Sequence, residues 1–535
     1  MGNIALLDCT LRDGAYIVDS QFGDNAIRGI ISKLQDVGAE IIECGWLKNS
    51  PHKEGSSFFH VPDDVIPYLA SKKDNVTYTV MIDWDRYDLD TLPPCDGRSI
   101  DAVRVVFPHG KHREGMEVGR QIKDKGYRVL FQAANTLAYS EDDLIALAEE
   151  ANRVKPVALS VVDTFGAMFE EDLEHIITIL DKHLDPDIQI GFHAHNNQQL
   201  AFALAIRFIS FFKDRPRDIM VDSTLCGMGR GAGNATTELV VSYLDRKCGC
   251  HYDLDAVMDA IDVYMGYYQE NYRWGYSTPY FIAGMYQCHV NNIAYLLNNH
   301  RTSAKDMRNI INSMDQSDRR KYDYDLLEKK YLNIVSRNVD DTAAINELAD
   351  CLRGREIVLV APGKSSLDEQ ERIRGLIKER NAAVIGVNAI LPGYDYDYVM
   401  FVNAARYDYA RETVQGFDSV KRIVLSNIST DGNSKELVVA YDHAVRQGWP
   451  HFDNAVICAL RLMDYLGIGK VSIAGFDGFR TRYNESYADP HLPSLNPDNK
   501  WDELNAEITE MFADYKANAV HCREIEFLTD SLFNR

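Results

Sequence analysis

The first half of the chain alternates short, nearly continuous apolar runs with longer stretches in which apolar residues recur at helical spacing. Continuous apolar runs are typical of parallel strands that are covered on both faces. Eight units of strand and helix favour a (β/α)8 TIM barrel over residues 1–275, with an open doubly wound sheet as the alternative. The predicted strands are residues 4–8, 40–45, 78–83, 102–107, 128–133, 158–163, 189–195 and 219–224.

A second alternating pattern begins near residue 351 and predicts an open parallel sheet of the Rossmann-like type over residues 351–535. The residues between the two patterns, 276–350, have helical periodicity and are expected to form a helical extension of the barrel. The predicted strands of the second sheet are residues 356–363, 382–388, 397–403, 422–427, 436–441 and 470–478.

Composition and charge indicate which kinds of molecule the protein binds and in which compartment it is expected. The 535-residue chain has a net charge of -23, which argues against nucleic acid and anionic lipid and favours a small-molecule partner. Ten cysteines without the spacing of a disulfide framework indicate reduced thiols. The N-terminal residues do not resemble a signal peptide, and no apolar run reaches membrane-spanning length. We therefore expect a cytoplasmic protein, and a homo-oligomer.

Polar residues cluster at the ends of the predicted barrel strands. Active sites of TIM barrels lie at the carboxyl ends of the strands, where the loops that follow them converge. The polar residues at these ends are Asp8, Arg12, Asp13, Glu43, Asp83, Asp163, His193, His195 and Asp222. This clustering predicts that the carboxyl end of the barrel carries the chemistry.

The segment GFHAHNN places two histidines two residues apart on one strand, so that both side chains project to the same side. His193 and His195 could then chelate one divalent ion, with a carboxylate from Asp13 and an amide oxygen from Asn234 in the loop GMGRGAGN. Histidines that only form hydrogen bonds at a strand end are the alternative. The other polar residues at the barrel end favour the metal site.

Arg12 lies next to Asp13 and offers a planar, bidentate donor beside the predicted metal site. Such a donor suits a 2-oxo acid, whose carboxylate and carbonyl oxygens both need charge stabilisation. An ordinary surface ion pair between Arg12 and Asp13 is the alternative interpretation.

Three motifs together, LLDCTLRDG, GFHAHNN and CGMGRGAGN, resemble those of the DRE-TIM metallolyase superfamily, the HMG-CoA lyase-like enzymes. The superfamily includes 4-hydroxy-2-oxovalerate aldolases, hydroxymethylglutaryl-CoA lyases, and isopropylmalate and homocitrate synthases. The resemblance implies that Asp13, His193 and His195, often with Asn234, bind a divalent metal ion. Mn²⁺ is expected, with Mg²⁺, Co²⁺ and Zn²⁺ as alternatives.

The same resemblance assigns roles to further residues. Arg12 would polarise the carbonyl of a 2-oxo acid or thioester, and Glu43 would lie near the metal. Residues 279–297 resemble the helical extension of hydroxyoxovalerate-type aldolases, which implies cleavage or formation of a C–C bond through the enolate of a 2-oxo acid such as pyruvate. A sugar-derived aldehyde is one candidate for the second substrate.

One position departs from the aldolase pattern. In hydroxyoxovalerate aldolases a histidine that closely follows the RDG motif is the general base, whereas this chain has Tyr16 there and no histidine nearby. Tyr16, or His109 from the loop after the fourth predicted strand, is therefore a candidate for proton transfer.

Two other functions stay open, together with a ligand for the second sheet. One is a synthase that condenses an acyl-CoA with a 2-oxo acid. The other is a non-catalytic, metal-containing barrel fused to a domain that binds a nucleotide or a sugar phosphate. The loop APGKSS, through Gly363, Lys364 and Ser365, is the candidate anion site of that domain, although it is neither a Walker A motif nor a GxGxxG fingerprint. A helix-capping loop in a structural or oligomerisation domain is the alternative.

Overall fold

The computed structural model describes residues 2–69, 71–336, 339–430, 432–480, 485–496 and 500–534. Within these residues the chain forms two compact units, one up to Val290 and one from Asn291 onward. No helix of the described residues is both long and apolar enough to cross a lipid bilayer.

The first unit is built around one parallel sheet. Its strands are β1 Ile4–Asp8, β2 Ile41–Leu47, β3 Phe58–Phe59, β4 Thr77–Asp83, β5 Ala102–Phe107, β6 Arg128–Ala133, β7 Ala158–Asp163, β8 Gln189–Ala194 and β9 Ile219–Ser223. The order of neighbours is β1-β9-β8-β7-β6-β5-β4-β2-β3, and β1 also pairs with β2. That last pairing closes eight of the strands into a barrel, with β3 added beside β2. The predicted TIM barrel is confirmed, and each predicted strand matches within two residues at either end.

Helices follow the barrel strands and supply its outer layer. They are α1 Thr10–Asp13, α2 Asp24–Val37, α3 His112–Asp124, α4 Glu141–Val154, α5 Glu170–His183, α6 Ala201–Phe212, α7 Thr237–Cys248, α8 Leu254–Ala260, α9 Gly266–Asn271 and α10 Thr278–Met285. Short 3-10 helices lie at Gly14–Tyr16, Pro62–Tyr68, Leu89–Thr91, Thr136–Ala138 and Leu225–Gly227, and a π-helical turn at Ile261–Met265 joins α8 to α9.

Two successive layers of side chains fill the barrel interior. Because alternate residues of a strand point to the same side, residues two apart on each strand contribute to adjacent layers. The lower layer is apolar and buried, and consists of Leu7, Ile41, Ala102, Leu130, Ala158 and Met220. Two residues further along five of these strands the layer becomes polar, with Glu43, Arg104, Gln132, Ser160 and Asp222, all of them buried. The site at the carboxyl end of the barrel therefore rests on a buried polar layer, which in turn rests on an apolar one.

The second unit contains an open, all-parallel sheet, as predicted. Its strands are β10 Ile357–Val360, β11 Ala383–Val387, β12 Tyr398–Phe401, β13 Lys421–Leu425, β14 Glu436–Val439, β15 Lys470–Ala474 and β16 Glu524–Phe527. The order of neighbours is β14-β13-β12-β11-β10-β15-β16, so the direction of winding reverses between β10 and β15. The edge strand β16 was not predicted, because its alternating glutamates hide the apolar pattern.

The helices of this half of the chain are α11 Val290–Asn299, α12 Ala304–Asn312, α13 Gln316–Arg319, α14 Tyr324–Val335, α15 Thr342–Leu352, α16 Ser365–Asp368, α17 Gln370–Arg380, α18 Ala404–Thr413, α19 Tyr441–Ala444, α20 Ala455–Tyr465 and α21 Trp501–Asn518. A 3-10 helix lies at Phe417–Ser419.

The packing of α3 on the barrel depends on a glycine. A Cβ atom at Gly115 would lie 2.3 Å from the ring of the fully buried Phe107. We expect Gly115→Ala to lower the free energy of unfolding by about 1–3 kcal/mol, because the added methyl group overpacks the interface. Gly375 in α17 is a matched control, since nothing lies within 4 Å of its added Cβ. Gly375→Ala should leave stability unchanged or raise it by about 0.4–1 kcal/mol in urea unfolding followed by circular dichroism.

Candidate active site

Three side chains from two strand ends form a candidate metal site. Asp13 ends α1, directly after β1, while His193 and His195 lie at the end of β8. Each offers one ligand atom, and these atoms all lie within 4.8 Å of one another. His195 Nε2 is 3.5 Å from Asp13 Oδ2, and the two imidazole rings stand nearly perpendicular, 5.1 Å apart. The structure thus brings together the three residues that the sequence singled out as ligands.

The second nitrogen of each histidine is already engaged. His193 Nδ1 is 3.1 Å from Asp222 Oδ2, and His195 Nδ1 is 3.2 Å from the carbonyl oxygen of Asp163. Such contacts fix the tautomer with the proton on Nδ1, which leaves each Nε2 lone pair for a metal. Burial lowers the pKa of His193, which favours the neutral imidazole that a metal ligand requires.

The charge of Asp13 also suits a ligand. Burial alone would raise its pKa, but Arg12 and the two histidines together hold the pKa of this carboxyl well below its usual range. This shift favours the ionised carboxylate, which is the form that binds a metal ion.

Asn234 extends the candidate set. Its Nδ2 donates to Asp13 Oδ2, and its buried Oδ1 has no hydrogen-bond partner among the described residues. Because a half-turn of the amide exchanges its nitrogen and oxygen, Asn234 can present an oxygen beside Asp13. The glycine loop allows this approach: a Cβ at Gly229 would lie 2.1 Å from Asn234 Nδ2 and 2.7 Å from Asp13 Oδ2. The donor set of two imidazoles, a carboxylate and an amide fits a divalent first-row ion.

A second cluster of possible ligands shares His193 and adds Cys9 and Asp222. The Cys9 thiol donates to the carbonyl oxygen of Ser223, and burial raises its pKa well above the usual value, which disfavours the thiolate that binds metals. The carboxylate of Asp222 is engaged elsewhere, as described below. The set of Asp13, His193 and His195 is therefore the better candidate.

Arg12 is held by carboxylates on two sides. Its Nε donates to Glu43 Oε2 at 2.8 Å and its Nη1 to Asp13 Oδ1 at 2.8 Å. The indole of Trp46 donates to the Arg12 carbonyl oxygen at 3.2 Å and anchors the backbone. The buried Nη2 has no partner among the described residues. Arg12 is thus not a surface ion pair but an oriented, buried guanidinium with one donor left over.

Sequence reasoning missed two residues of the network beneath Arg12. The fully buried Arg104 donates from Nη1 to Glu43 Oε2 at 2.9 Å and from Nη2 to Asp222 Oδ2 at 2.5 Å. Gln132 Nε2 donates to the same Asp222 oxygen at 3.1 Å. Both residues stand at inward positions of otherwise apolar strands, AVRVVF and RVLFQA, and a polar residue in such a run was the signal that could have revealed them.

Two of the remaining strand-end carboxylates form local hydrogen bonds. Asp8 accepts from the Thr237 hydroxyl at 2.7 Å, and Asp163 accepts from the backbone amides of Ala167 and Met168 at 2.8 and 3.1 Å. Burial raises the pKa of each carboxyl to about 6. These contacts indicate that both residues hold the loops of the site in place.

The two candidates for proton transfer lie in different surroundings. Tyr16 ends the 3-10 helix that follows Arg12 and Asp13, and the Arg230 guanidinium lies 4.1 Å from its ring centre. His109 has an exposed side chain, with its Nε2 3.3 Å from Asp143 Oδ2 and its ring against Tyr139. Tyr16 therefore lies near the candidate metal ligands, whereas His109 lies on the surface.

Gly363 belongs to the loop that was predicted to bind an anion, and it lines a cleft at the carboxyl end of the second unit's sheet. The amide of Ser365 donates to Asp477 Oδ2 at 3.0 Å, and its hydroxyl donates to the other carboxylate oxygen. The Gly363 amide donates to the carbonyl oxygen of Gly475 at 3.0 Å. A carboxylate of the chain itself therefore occupies donors that were predicted to hold an external anion.

Comparison with known proteins identifies relatives of the barrel. The model of the HMGL-like family matches residues 112–263. Oxaloacetate decarboxylase of Mycobacterium tuberculosis is 30% identical over 258 residues, which are 48% of this chain and 74% of that protein. The 4-hydroxy-2-oxovalerate aldolase of Thermomicrobium roseum is 28% identical over 267 residues, covering 48% of this chain and 70% of that protein.

Among solved structures, the HMG-CoA lyase of Brucella melitensis matches with a TM-score of 0.39 and 17% identity, over 50% of this chain and all of that one. The three motifs at the barrel end and the extent of the match to the mycobacterial protein lead to one conclusion: this chain belongs to the HMGL-like family of DRE-TIM metallolyases.

Proposed function

We propose that the protein is a divalent-metal-dependent lyase that breaks or forms a C–C bond through the enolate of a 2-oxo acid such as pyruvate. One observation carries this proposal. Arg12 is buried and held by Asp13 and Glu43, and it keeps an unpartnered Nη2 beside the candidate ligands. A fixed guanidinium with a spare donor next to a metal site suits a substrate whose carboxylate and carbonyl oxygens lie on adjacent carbon atoms.

The charges of the site favour this kind of substrate. Three buried carboxylates, Asp13, Glu43 and Asp222, face two buried guanidiniums, Arg12 and Arg104. The network therefore carries an excess of one negative charge, which attracts a cation. With a divalent cation bound, the balance becomes positive by one, which complements the carboxylate of a 2-oxo acid.

Arg12 acts where charge develops. When the bond next to the carbonyl breaks, negative charge moves onto the carbonyl oxygen, and a preorganised donor such as Arg12 Nη2 stabilises it. When bound, the metal ion would supply Lewis-acid polarisation of the same carbonyl. Glu43 and Arg104 hold Arg12 so that little reorganisation is needed during the reaction.

Proton transfer is assigned to Tyr16 in this proposal. Its position after Asp13 and its packing against Arg230 and Trp46 support this choice. Desolvation raises the pKa of Tyr16 despite the neighbouring guanidinium, so its hydroxyl stays protonated and can give a proton to the enolate carbon. The sugar-derived aldehyde and the homo-oligomer stay predictions.

Decarboxylation of oxaloacetate is a second candidate function, favoured by the motif RDGAY, which lacks the base of hydroxyoxovalerate aldolases. Loss of CO₂ leaves the electron pair of the broken bond in the pyruvate enolate, which then takes one proton. No base is needed to remove a hydroxyl proton, whereas aldol cleavage requires one. The mycobacterial relative carries this activity in its name.

Metal-dependent exchange of the pyruvate methyl protons for deuterium tests the common step. We expect exchange, followed by NMR, in the Mn²⁺-loaded protein and its loss after chelation or in His195→Ala, because both remove the group that stabilises the enolate. His175→Ala, on the exposed face of α5, is the matched control and should exchange at the wild-type rate. Absence of exchange with metal verified in the protein would overturn the pyruvate proposal in favour of an acyl-CoA donor or a non-catalytic barrel.

Supplying oxaloacetate to the same protein separates the two candidates. We expect the decarboxylase to release CO₂ from oxaloacetate without an aldehyde, whereas the aldolase consumes pyruvate only when an aldehyde acceptor is added. A coupled pyruvate assay and a panel of sugar-derived aldehydes measure the two rates. Turnover of pyruvate with an aldehyde that exceeds oxaloacetate decarboxylation would rule out the second candidate as the main activity.

Two variants separate metal binding from charge stabilisation. Asp13→Asn should weaken metal binding at least tenfold, because it removes the anionic ligand, and Asp36→Asn on the exposed surface is its control.

Arg12→Lys should keep its metal and lose activity by a factor of roughly 10²–10³, because the lysine ammonium cannot reproduce the unpartnered Nη2 donor of the guanidinium. Metal analysis and exchange rates are measured on both. Full metal content and full exchange in Asp13→Asn would refute the ligand assignment.

A further inference from the structure

The second unit has a cleft at the carboxyl edge of its sheet, with a volume of about 790 Å³ including its open mouth. It lies where the winding reverses between β10 and β15, and it is lined by the loops that follow β10, β11, β12 and β15. Ligands of open parallel sheets bind at such a reversal, outside the carboxyl ends of the strands.

Arg406 is a buried cation in the wall of this cleft. It lies in the first turn of α18 and is 5% exposed. Among the described residues, its Nη1 has no hydrogen-bond partner and no carboxylate forms an ion pair with the guanidinium. The guanidinium carbon lies 4.6 Å from the ring centre of Tyr487, a contact that orients the group without neutralising it. A buried, uncompensated charge is costly, so an anion is the kind of ligand that would stabilise this site.

The other arginine of the cleft is already neutralised. Arg301 donates to Asp453, to Asn496 Oδ1 at 2.6 Å and to the carbonyl oxygen of His451 at 3.0 Å. Of the arginines that the structure describes in this cleft, Arg406 is therefore the one available to a ligand.

The predicted loop of Gly363, Lys364 and Ser365 is not where we place the anion. Asp477 fills the donors of Ser365, and the helix that begins there has only four residues. Asp477 also lines the cleft, so this side repels an anion and offers carboxylate oxygens to hydroxyl groups instead.

An amide and an aromatic wall complete the lining. The Oδ1 atom of Asn388 accepts from the Val402 amide at 2.7 Å, and its Nδ2 makes no hydrogen bond within the described part of the chain. Phe476 and Phe533 pack 4.5 Å apart and, like Phe479, contribute to the lining. The cleft thus combines an anion site, a donor, a hydroxyl acceptor and an apolar aromatic surface.

We propose that this cleft binds a nucleoside phosphate. Arg406 binds the phosphate, with the Asn388 amide as a further donor. Asp477 accepts from the ribose hydroxyls, and the base lies against the phenylalanine wall. This site is independent of the lyase chemistry of the barrel, so either proposal can fail without the other.

Isothermal titration of the full-length protein tests the site. The ligands are ADP, GDP, CDP and UDP, with inorganic phosphate, the four nucleosides and glucose 1-phosphate for comparison, all in EDTA so that no metal bridges the phosphates. We expect at least one diphosphate to bind at micromolar concentration, and its nucleoside and inorganic phosphate to bind at least tenfold more weakly. Glucose 1-phosphate binding as tightly as every diphosphate would overturn the nucleoside assignment.

Substitution of Arg406 tests the anion contact. Arg406→Met should weaken diphosphate binding at least tenfold, whereas Arg374→Met, at a half-exposed position on α17, should not change it. The melting temperature of ligand-free Arg406→Met should equal or exceed that of the wild type, because an unpaired buried charge is removed. A clear fall in melting temperature with unchanged binding would make Arg406 a structural residue and overturn the proposal.

A second variant tests the site even if Arg406→Met does not fold. Arg406→Lys keeps the charge and most of the stem, and it should weaken diphosphate binding about tenfold because the bidentate contact is lost. Wild-type affinity in Arg406→Lys, or no binding of any diphosphate to the wild-type protein, would refute the site.

Discussion

The pairing of Arg104 with Glu43 and Asp222 is the interaction on which the barrel site depends. A cation with no exposed surface requires carboxylates on both sides, and each of these carboxylates in turn fixes a residue of the site: Glu43 fixes Arg12, and Asp222 fixes His193. Removing any member would leave a buried charge uncompensated, which costs more than the pair contributes. Orientation of the candidate ligands and of the polarising arginine is therefore a property of the barrel interior, and not of the loops alone.

Much of this architecture could be predicted from the sequence. Strands covered on both faces have continuous apolar runs, and chemistry at strand ends is visible as polar residues that follow such runs, as with Asp13 and His193. Arg104 and Gln132 were missed because the same rule treats a strand interior as apolar. The sequence also could not predict that Asp477 accepts the hydrogen bonds of the APGKSS loop, because Asp477 lies 112 residues away from Ser365 and only the fold brings them together.

Arg104 and Arg406 are both buried, but their surroundings differ. Arg104 is neutralised by the chain itself, which makes it a fixed part of the scaffold. Arg406 packs against an aromatic ring and has no counter-ion among the described residues, which is why we propose a partner from solution. Arg12 lies between these two cases, because two carboxylates hold it while its buried Nη2 has no partner among the described residues.

The apolar layer beneath the polar layer has a consequence for molecular traffic. Leu7, Ile41, Ala102, Leu130, Ala158 and Met220 close the lower end of the barrel to water and to ions. Substrate, product and protons must therefore share one entrance, at the carboxyl end of the strands. In the reaction that we propose, both cleavage products would therefore leave through the entrance by which the substrate came in.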